Sequence, residues 1–375
     1  MTATGDHAWM SRALKLARLG LYTTDPNPLV GCVIVKDDAL VAEGWHQKAG
    51  DPHAEKIALA AAGEEARGAT LYVTLEPCCH HGKTPPCSDV VIKAGVARVV
   101  IAMQDPNPLV AGKGVSQLQD AGIEVECGVL EQQARELNPG FVSRMERGRP
   151  WVRCKLAMSV DGRTAMANGE SKWITSDASR KDVHRLRARS SAVVTGIGTL
   201  LADDPSLNVR LNDEELSGVT LDAPLTLPLR VIMDADLRTP PDARVLQLEG
   251  DTLIVTASTD SERSRALADT GTELLVIDRE SGHLDWQHLL RELTERQIND
   301  VLIEAGATIA GSALRAGIID ELVLYMAPHL MGDDARGLVH LPGLDTMEQR
   351  IELQLTDLRQ LGNDMRMTYR IKEAD

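Results

Sequence analysis

Apolar residues recur at two spacings in the first half of the chain, and each spacing predicts a different element. Trp9, Ala13 and Leu16 at helical spacing predict a helix over 7–19, and an alanine-rich stretch predicts another over 54–66. A continuous apolar run over 30–35 predicts a strand that turns into a hairpin with 40–42. The remaining predicted elements of this half alternate between strands and helices: strands 70–75, 96–102 and 123–127, and helices 88–94 and 115–121.

The second half repeats this alternation after a break. Asn138-Pro139-Gly140 and the basic residues 147–150 interrupt the apolar periodicity, so we predict two domains, 1–146 and 147–375. Two domains also agree with 375 residues at roughly 150 residues per domain. A helix is predicted over 176–189 and a surface excursion over 211–227. The predicted strands are 152–158, 192–195, 229–233, 252–256, 274–277, 301–303 and 321–325. Strands alternating with helices predict an α/β fold in both domains.

Charge and composition narrow the partners. A formal charge of −15, from 40 basic and 55 acidic residues, argues against a protein that binds nucleic acid through its phosphates. Aromatic residues make up only 3%, too few for the stacking surfaces of a single-strand binder. No apolar run reaches the ~18 residues of a membrane span, and residues 1–20 lack a signal-peptide core. We therefore expect a cytoplasmic enzyme or binding protein. Neither the charge nor the low aromatic content excludes a small phosphorylated substrate.

The six cysteines fall into two groups. They are too few for a disulfide scaffold. Three of them, Cys32, Cys127 and Cys154, lie in apolar stretches and are predicted to be small buried hydrophobes. The other three crowd together as Cys78, Cys79 and Cys87, which calls for another explanation.

One hexapeptide, Asp-Pro-Asn-Pro-Leu-Val, occurs at 25–30 and again at 105–110. Turn chemistry alone favours a pair of stiff Asx-Pro turns at strand ends. The alternative is that the turns hold Asn27, Asp105 and Asn107 at the rim of a pocket.

A second constellation carries metal chemistry. His53-Ala54-Glu55 opens a predicted helix, Cys78 follows a predicted strand, and Cys87 precedes the next helix. One imidazole and two thiolates can hold Zn²⁺ with a fourth position open for water, whose pKa the ion lowers to about 7. Glu55 would then move protons. The pattern resembles the H-x-E and P-C-x-x-C arrangement of zinc nucleobase deaminases: the H-x-E part is intact, but eight residues separate Cys78 and Cys87.

Two alternatives stay open at this point. A structural zinc site or an accidental Cys/His-rich loop would have no use for Glu55, and a structural site usually closes its fourth position. Which thiol binds is a separate question: Cys78 follows Pro77 as the pattern demands, so Cys79 is predicted to be a bystander. The histidines at 46, 80 and 81 are either alternative ligands or side chains that face solvent or substrate.

The run 75–87, together with His53-Ala54-Glu55 and both hexapeptides, closely resembles the deaminase half of the bifunctional riboflavin-biosynthesis deaminase/reductase family. That family commonly has Ser where Cys79 stands. The resemblance implies a cytidine-deaminase-like three-layer domain in which one Zn²⁺ is held by His53, Cys78 and Cys87 and Glu55 shuttles protons. The substrate contacts that it implies are Asn27, His46, Lys83, Asp105 and Asn107.

The chemistry of the second half is less explicit. It contains no G-x-G-x-x-G fingerprint. Glu304 ends a predicted strand, and the glycine-flanked run 306–312 starts a helix, which is either an anion site or a cap with packing glycines. Lys155 shares a strand face with Arg153 and Ala157, either in a site or snorkelling from an edge strand. The basic helix over 176–189 is either a solvated face or a phosphate receiver.

Four runs of this half, 155–165, 169–175, 199–205 and 304–311, resemble the reductase half of the same family. The resemblance implies a dihydrofolate-reductase-like α/β domain that uses NADPH, with Lys155 facing the reacting carbon. The implied cofactor contacts are Ala157, Trp173, Thr199, Asp203, Gly306, Ala307, Thr308, Ile309, Ala310, Gly311 and Ser312. The implied substrate contacts are Ser171, Arg187, Leu207, Arg210 and Glu304.

Taken together, the sequence predicts two consecutive reactions on one phosphorylated pyrimidine: a zinc-dependent deamination and an NADPH-dependent reduction of the ribosyl chain. A homo-oligomer, dimer or tetramer, is expected. One rival is a deaminase of another base whose second half only binds. The other is a nucleic-acid-binding protein with structural zinc, which the acidic charge and Glu55 disfavour.

Overall fold

The computed structural model describes residues 3–79, 85–218, 221, 223–280 and 282–372. The chain divides into two compact units. The first unit contains Met1–Gly148 and Asp213–Thr226, and the second contains Arg149–Asn212 and Leu227–Asp375. The predicted excursion over 211–227 therefore belongs mainly with the first unit, and its Asp213–Ser217 segment is helical. Among the described residues, no helix combines the length and apolar character needed to cross a bilayer.

The first unit alternates helices and strands as the apolar pattern predicts. Its elements before the break are α1 (Ala3–Ala17), β1 (Gly31–Lys36), β2 (Ala39–Trp45), α2 (Ala54–Ala62), β3 (Thr70–Val73), α3 (Cys87–Ala94), β4 (Arg98–Ile101), α4 (Lys113–Asp120), β5 (Glu124–Cys127), α5 (Glu131–Leu137) and α6 (Pro139–Arg147). The predicted helix over 54–66 is α-helical only to Ala62 and continues as a 3₁₀ turn, Gly63–Ala66.

The strands of the first unit form one five-stranded sheet in the order β2-β1-β3-β4-β5. The hairpin of β1 and β2 is antiparallel, as predicted, and β3, β4 and β5 run parallel. Alternating side chains of β1 serve two cores, with Cys32 and Ile34 packing under α2, α3 and α4. Val33 and Val35 pack on the other face with α1, α5 and α6. The result is the helix-sheet-helix sandwich of a three-layer α/β domain.

Close packing fixes the position of α2 on β2; this helix carries the predicted proton shuttle Glu55 and has the predicted ligand His53 as its N-cap. A Cβ added at Gly44 of β2 would lie 2.9 Å from the Ala58 nitrogen of α2. The absence of a side chain there lets the helix backbone approach the strand, so the first turn of α2 has a defined position.

The second unit begins at the predicted break. The elements after the break are β6 (Trp151–Ser159), β7 (Arg163–Ala165), α7 (Asp177–Ala188), β8 (Ala192–Gly196), α8 (Ile197–Asp203), α9 (Asp213–Ser217), β9 (Leu229–Met233), β10 (Thr252–Thr256), α10 (Ser261–Ala268), β11 (Glu273–Val276), β12 (Arg279–Glu280), β13 (His283–Leu284), α11 (Trp286–Glu295), β14 (Asp300–Ile303), α12 (Ala307–Arg315), β15 (Glu321–Ala327), β16 (Arg336–Gly337), β17 (Leu353–Leu361) and β18 (Asp364–Ile371). All of them except α9 belong to the second unit.

A nine-stranded sheet in the order β11-β10-β9-β8-β14-β6-β15-β18-β17 forms the centre of this unit. One face packs against α11 and α12 and the other against α7. The closing hairpin of β17 and β18 was not predicted, although Met365, Met367, Tyr369 and Ile371 alternate with polar residues at strand spacing. Both units are α/β, which confirms the predicted class.

One prediction about a single residue is wrong, and one alternative is excluded. Cys127 is exposed, because β5 is the last strand of its sheet and carries mostly exposed side chains. Lys155 does not snorkel from an edge strand, because β6 lies between β14 and β15 in the middle of the sheet. Cys32 and Cys154 are buried as predicted.

Candidate active sites

The predicted zinc ligands come together in the first unit. His53 is the N-cap of α2, Cys87 is the first residue of α3, and Cys78 lies in the loop after β3. The His53 Nδ1 atom is 3.2 Å from the Cys87 Sγ and 3.7 Å from the Cys78 Sγ. Ligand atoms around a tetrahedral zinc ion are roughly 3.5 Å apart, given the usual zinc–nitrogen and zinc–sulfur bond lengths. One nitrogen and two sulfurs at these distances therefore fit Zn²⁺.

The two thiols are electrostatically unequal. The hydrogen bond with Cys87, helped by His53, lowers the pKa of Cys78 to about 4. The same bond and burial raise the pKa of Cys87. The Cys87 backbone N–H also donates to the Cys78 sulfur over 3.4 Å. The pair thus holds a thiolate in the geometry that a cation needs.

Glu55 lies on the first turn of α2 beside these ligands. It is only 3% exposed, and burial raises the pKa of its carboxyl while the neighbouring His53 opposes that rise. A carboxyl group that is almost fully buried next to the predicted ligands is suited to exchange protons with a molecule bound there.

His46 and Asn27 extend the site from the ligands. The His46 Nδ1–H donates to the Pro52 carbonyl at 3.2 Å, so its Nε2 is the acceptor for the Asn27 amide at 3.0 Å. The His46 ring packs edge-on against the His53 ring, with centroids 5.3 Å apart. His46 thus holds the Asn27 side chain near the predicted metal centre, and both of its ring nitrogens are used in hydrogen bonds to Pro52 and Asn27.

The structure reduces the number of residues that could bind the metal. Among the described residues, the group able to hold a metal consists of His53, Cys78 and Cys87, without Cys79 or His46. His80, His81 and the predicted substrate contact Lys83 lie outside the described residues.

The second hexapeptide forms the stiff turn that its composition predicts. The Asp105 carboxylate accepts from the Asn107 backbone N–H at 2.8 Å, and the Asn107 side chain accepts from the Leu109 N–H at 3.0 Å. These bonds are the Asx-turn pattern. A role of Asp105 and Asn107 in binding substrate stays a prediction.

Sequence reasoning missed Glu76, which anchors that turn to the metal centre. Its buried carboxylate accepts backbone N–H groups from Asp105, Gly112 and Val115 at 3.0–3.1 Å. Glu76 stands two residues before the predicted ligand Cys78. A charged residue directly after an apolar strand was the available signal, but its partners were not visible in the sequence.

The second unit brings Lys155, Glu304 and Arg187 together. Glu304 directly follows β14, in register with Lys155 on β6, and both face α7. The Arg187 guanidinium binds the Glu304 carboxylate through two bonds, Nε–Oε1 at 2.6 Å and Nη2–Oε2 at 2.9 Å. Burial lowers the pKa of Lys155, and the Glu304 charge opposes that change. The basic helix α7 is therefore partly internal, since Arg187 is paired below the surface.

The predicted cofactor run divides along α12. Gly306 is the N-cap of the helix, and a Cβ built on it would find the Thr199 hydroxyl, at 4.0 Å, as its nearest neighbour. A Cβ on Gly198 would meet nothing within 4 Å. This open backbone at a helix N-terminus fits the phosphates of a dinucleotide. Further along the helix, Ala310, Gly311 and Ser312 are buried, and a Cβ on Gly311 would lie 2.0 Å from the His340 carbonyl oxygen.

The other predicted contacts of this half lie on loops and helix ends. The Trp173 side chain is 69% exposed, with the Arg180 guanidinium 4.5 Å from its ring centroid. Asp203 ends α8, and its Oδ1 is 3.2 Å from the Lys172 Nζ. Ala157 lies on β6, Ser171 lies on the loop before α7, and Leu207 is buried with a positive φ of 50°. Ile309 packs against Gly196, whereas Ala307 and Thr308 form the first turn of α12.

Comparison with known proteins decides the family. Two family models match the chain. The model of the RibD C-terminal domain matches residues 150–367, and the model of the cytidine and deoxycytidylate deaminase zinc-binding region matches residues 3–103. The riboflavin biosynthesis protein RibD of Escherichia coli (strain K12) is 50% identical over 362 residues, covering 96% of this chain and 98% of that protein. The chain belongs to the RibD family. Its predicted fold, a deaminase-like domain followed by a RibD reductase domain, is confirmed.

Other RibD proteins agree over nearly the whole chain. RibD of Haemophilus influenzae is 49% identical over 366 residues, covering 97% of each chain. The structure of Acinetobacter baumannii RibD, form 1, has a TM-score of 0.92 at 48% identity and covers 99% of this chain and 100% of the other. A deaminase/reductase structure from Thermotoga maritima has a TM-score of 0.86 at 34% identity, covering 99% of both chains. The chain is therefore a bifunctional deaminase and reductase of riboflavin biosynthesis that uses zinc and NADPH.

Proposed function

We propose that the first unit deaminates 2,5-diamino-6-(5-phosphoribosylamino)pyrimidin-4(3H)-one and that the second reduces the ribosyl chain of the product to ribityl. The observation that carries this proposal is the buried Glu55 carboxylate next to a three-residue ligand set, His53, Cys78 and Cys87. A set of three protein ligands leaves a fourth position for a reactant, which a structural zinc site does not need. The Thermotoga maritima relative is named as a diaminohydroxyphosphoribosylaminopyrimidine deaminase, so its substrate is also a phosphoribosylamino-pyrimidine.

For the first reaction, the residues supply proton transfer and orientation. Zinc held by His53, Cys78 and Cys87 would supply the Lewis acidity that makes water a nucleophile at neutral pH. Glu55 takes the proton from the attacking water and delivers it to the ring nitrogen. It then carries the remaining proton of that water, now on the newly formed hydroxyl group, to the amino group, so that the carbon–nitrogen bond breaks, a carbonyl forms and ammonia leaves. We assign substrate orientation to Asn27 and His46, with Lys83, Asp105 and Asn107 as further contacts.

For the second reaction, residues at the start of α12 would hold NADPH, which would supply the hydride. The cofactor contacts are proposed to include Ala157, Trp173, Thr199, Asp203 and the run 306–312. We assign to Lys155 the polarisation of the reacting C1 carbon through its ammonium group. Ser171, Arg187, Leu207, Arg210 and Glu304 are the proposed contacts to the ribose phosphate. The predicted division at 146/147 then separates two domains that each carry one reaction.

The order of the reactions can be tested with the full-length, zinc-loaded chain. With NADPH withheld, we expect ammonia release to proceed and the deaminated ribosyl product to accumulate. Adding NADPH should then oxidise the cofactor in proportion to that product and give the ribityl compound, identified by its mass. NADPH oxidation at the same rate on the undeaminated substrate would contradict the order. Ammonia release without any NADPH-dependent turnover would favour a deaminase with a binding domain.

We also propose that the chain forms a homo-oligomer, a dimer or tetramer, through β17. This strand is the outermost of its sheet, and it carries Leu353, Leu355 and Leu358 with exposures of 37%, 50% and 53%. An edge strand with unpaired backbone groups and exposed leucines is a surface that another strand normally covers. A second copy provides an identical strand related by two-fold symmetry.

Light scattering on variants tests this surface. Leu355→Glu combined with Leu358→Glu should give the monomer mass, because buried charges would oppose the pairing. The matched control is Val276→Glu on β11, the opposite edge of the same sheet, where an exposed apolar residue is also replaced. A monomeric wild-type chain, or an unchanged mass for the double variant, would remove β17 as the interface.

A cytoplasmic location is proposed as well. All six cysteines are free, as expected for a reducing compartment. Recovery of both activities in an osmotic-shock fraction would contradict this.

A further inference from the structure

His184 lies in the second unit between the two arginines proposed to meet the ribose phosphate. It stands on α7, one turn before Arg187, and is only 8% exposed. Its Nδ1 lies 3.3 Å from the Arg210 backbone nitrogen, and its Nε2 lies 3.3 Å from the Arg210 Nη2. A neutral imidazole has one N–H and one acceptor nitrogen, so in the tautomer with the hydrogen on Nδ1 the Nε2 atom accepts from the Arg210 guanidinium. The imidazole therefore contacts Arg210 at both the main chain and the guanidinium.

The two arginines differ in whether their guanidinium group is paired with a carboxylate. Arg187 is committed to Glu304 by two bonds, and its Nη1 donates to the Asn208 carbonyl at 3.0 Å. Within the described ranges, no carboxylate forms an ion pair with Arg210, whose side chain is exposed. Arg210 thus retains a positive charge for an anion, although it is held in place.

A neutral imidazole is well suited to hold an arginine in this way. Burial, together with the charges of Arg187 and Arg210, lowers the pKa of His184 to about 4. The ring is therefore neutral near pH 7 and can accept a hydrogen bond, which an imidazolium cannot do. A carboxylate at this position would hold Arg210 more tightly but would cancel its charge. A lysine or arginine would repel it.

We infer that His184 is a positioning residue of the reductase, which holds Arg210 as an uncompensated cation facing the phosphate group of the substrate. This inference rests on the proposed phosphate contact of Arg210. It adds the reason why a phosphate dianion is recognised at this place: a neutral acceptor fixes the guanidinium and leaves its charge available.

Three substitutions separate the two properties of His184. His184→Phe keeps a planar ring without acceptors, His184→Glu keeps an acceptor but adds a compensating charge, and His184→Gln keeps a neutral acceptor. For the deaminated phosphoribosyl substrate, we expect KM to rise about tenfold or more for Phe and Glu, the loss of one charge-assisted contact. The Gln variant should stay near the wild type, and kcat should change little in all three.

Several readouts distinguish positioning from general damage. The KM for NADPH and the rate of ammonia release in the same chain should stay at wild-type values. With the dephosphorylated substrate, the wild type and all three variants should have the same KM. In an Arg210→Ala background, His184→Phe should add no further increase, since the two residues act through one contact.

Each possible result either supports or contradicts the positioning role of His184. If Arg210→Ala leaves the KM of the phosphorylated substrate unchanged, the proposed role of Arg210 is wrong. If Arg210→Ala raises it but His184→Phe and His184→Glu do not, His184 has no positioning role. An equal loss for phosphorylated and dephosphorylated substrates also overturns the inference. Should the Phe variant fail to fold, the comparison of Gln with Glu still decides, because both have the same shape and differ in charge.

Discussion

Glu55→Gln is expected to lower the rate of ammonia release by about a thousandfold or more, within the range that a general acid–base contributes. The amide has nearly the shape of the carboxylate but cannot take a proton from water or return one to the leaving group. Because His53, Cys78 and Cys87 are untouched, the zinc content per chain should be unchanged when measured by elemental analysis. NADPH oxidation on the chemically prepared deaminated product should equal that of the wild type.

The control is Glu65→Gln, which removes a carboxylate from an exposed position just after α2 and should affect neither reaction. Undiminished deamination by Glu55→Gln would refute the proton-shuttle assignment. Loss of zinc together with activity would show that Glu55 supports the metal centre instead.

Lys155→Met should impair the reductase reaction and leave the deaminase reaction intact. The methionine keeps the unbranched stem in the middle of the sheet but removes the ammonium group next to Glu304. We expect NADPH oxidation on the deaminated substrate to fall by about 100- to 1000-fold, the usual cost of removing one group that stabilises developing charge. Ammonia release should be unaffected.

Lys155→Ala provides the comparison for packing, because it removes the stem as well. If Met and Ala variants lose reductase activity equally, the ammonium group is responsible. A Met variant with wild-type turnover would exclude Lys155 from the reaction. A loss confined to the Ala variant would assign the effect to the cavity left in the sheet.

Much of the fold was predictable because the signals are local. The hairpin of β1 and β2 follows from an apolar run and a turn, and helices α3, α4 and α7 lie within two residues of their predicted bounds. The edges of the sheets were not predictable in this way. Cys127 is exposed because β5 is the last strand of its sheet, which depends on strand order rather than on neighbouring residues.

The sequence was sufficient to predict the zinc site. The predicted ligands stand at the ends of elements that are consecutive in the chain, and the residue types themselves indicate a metal and a proton shuttle. The resemblance of the runs 75–87, 155–165 and 304–311 then indicated the family, which the comparisons confirm.

Only the tertiary structure decided how charges are paired inside the two sites. Arg187 and Glu304 are 117 residues apart, and they meet because β14 pairs in parallel with β8 and lies beneath α7. The Arg210 contact with His184 and the three backbone bonds of Glu76 likewise join separate elements. A sequence states which residues are charged. Which of those charges is neutralised, and which remains for a substrate, depends on partners that only folding brings within hydrogen-bond distance.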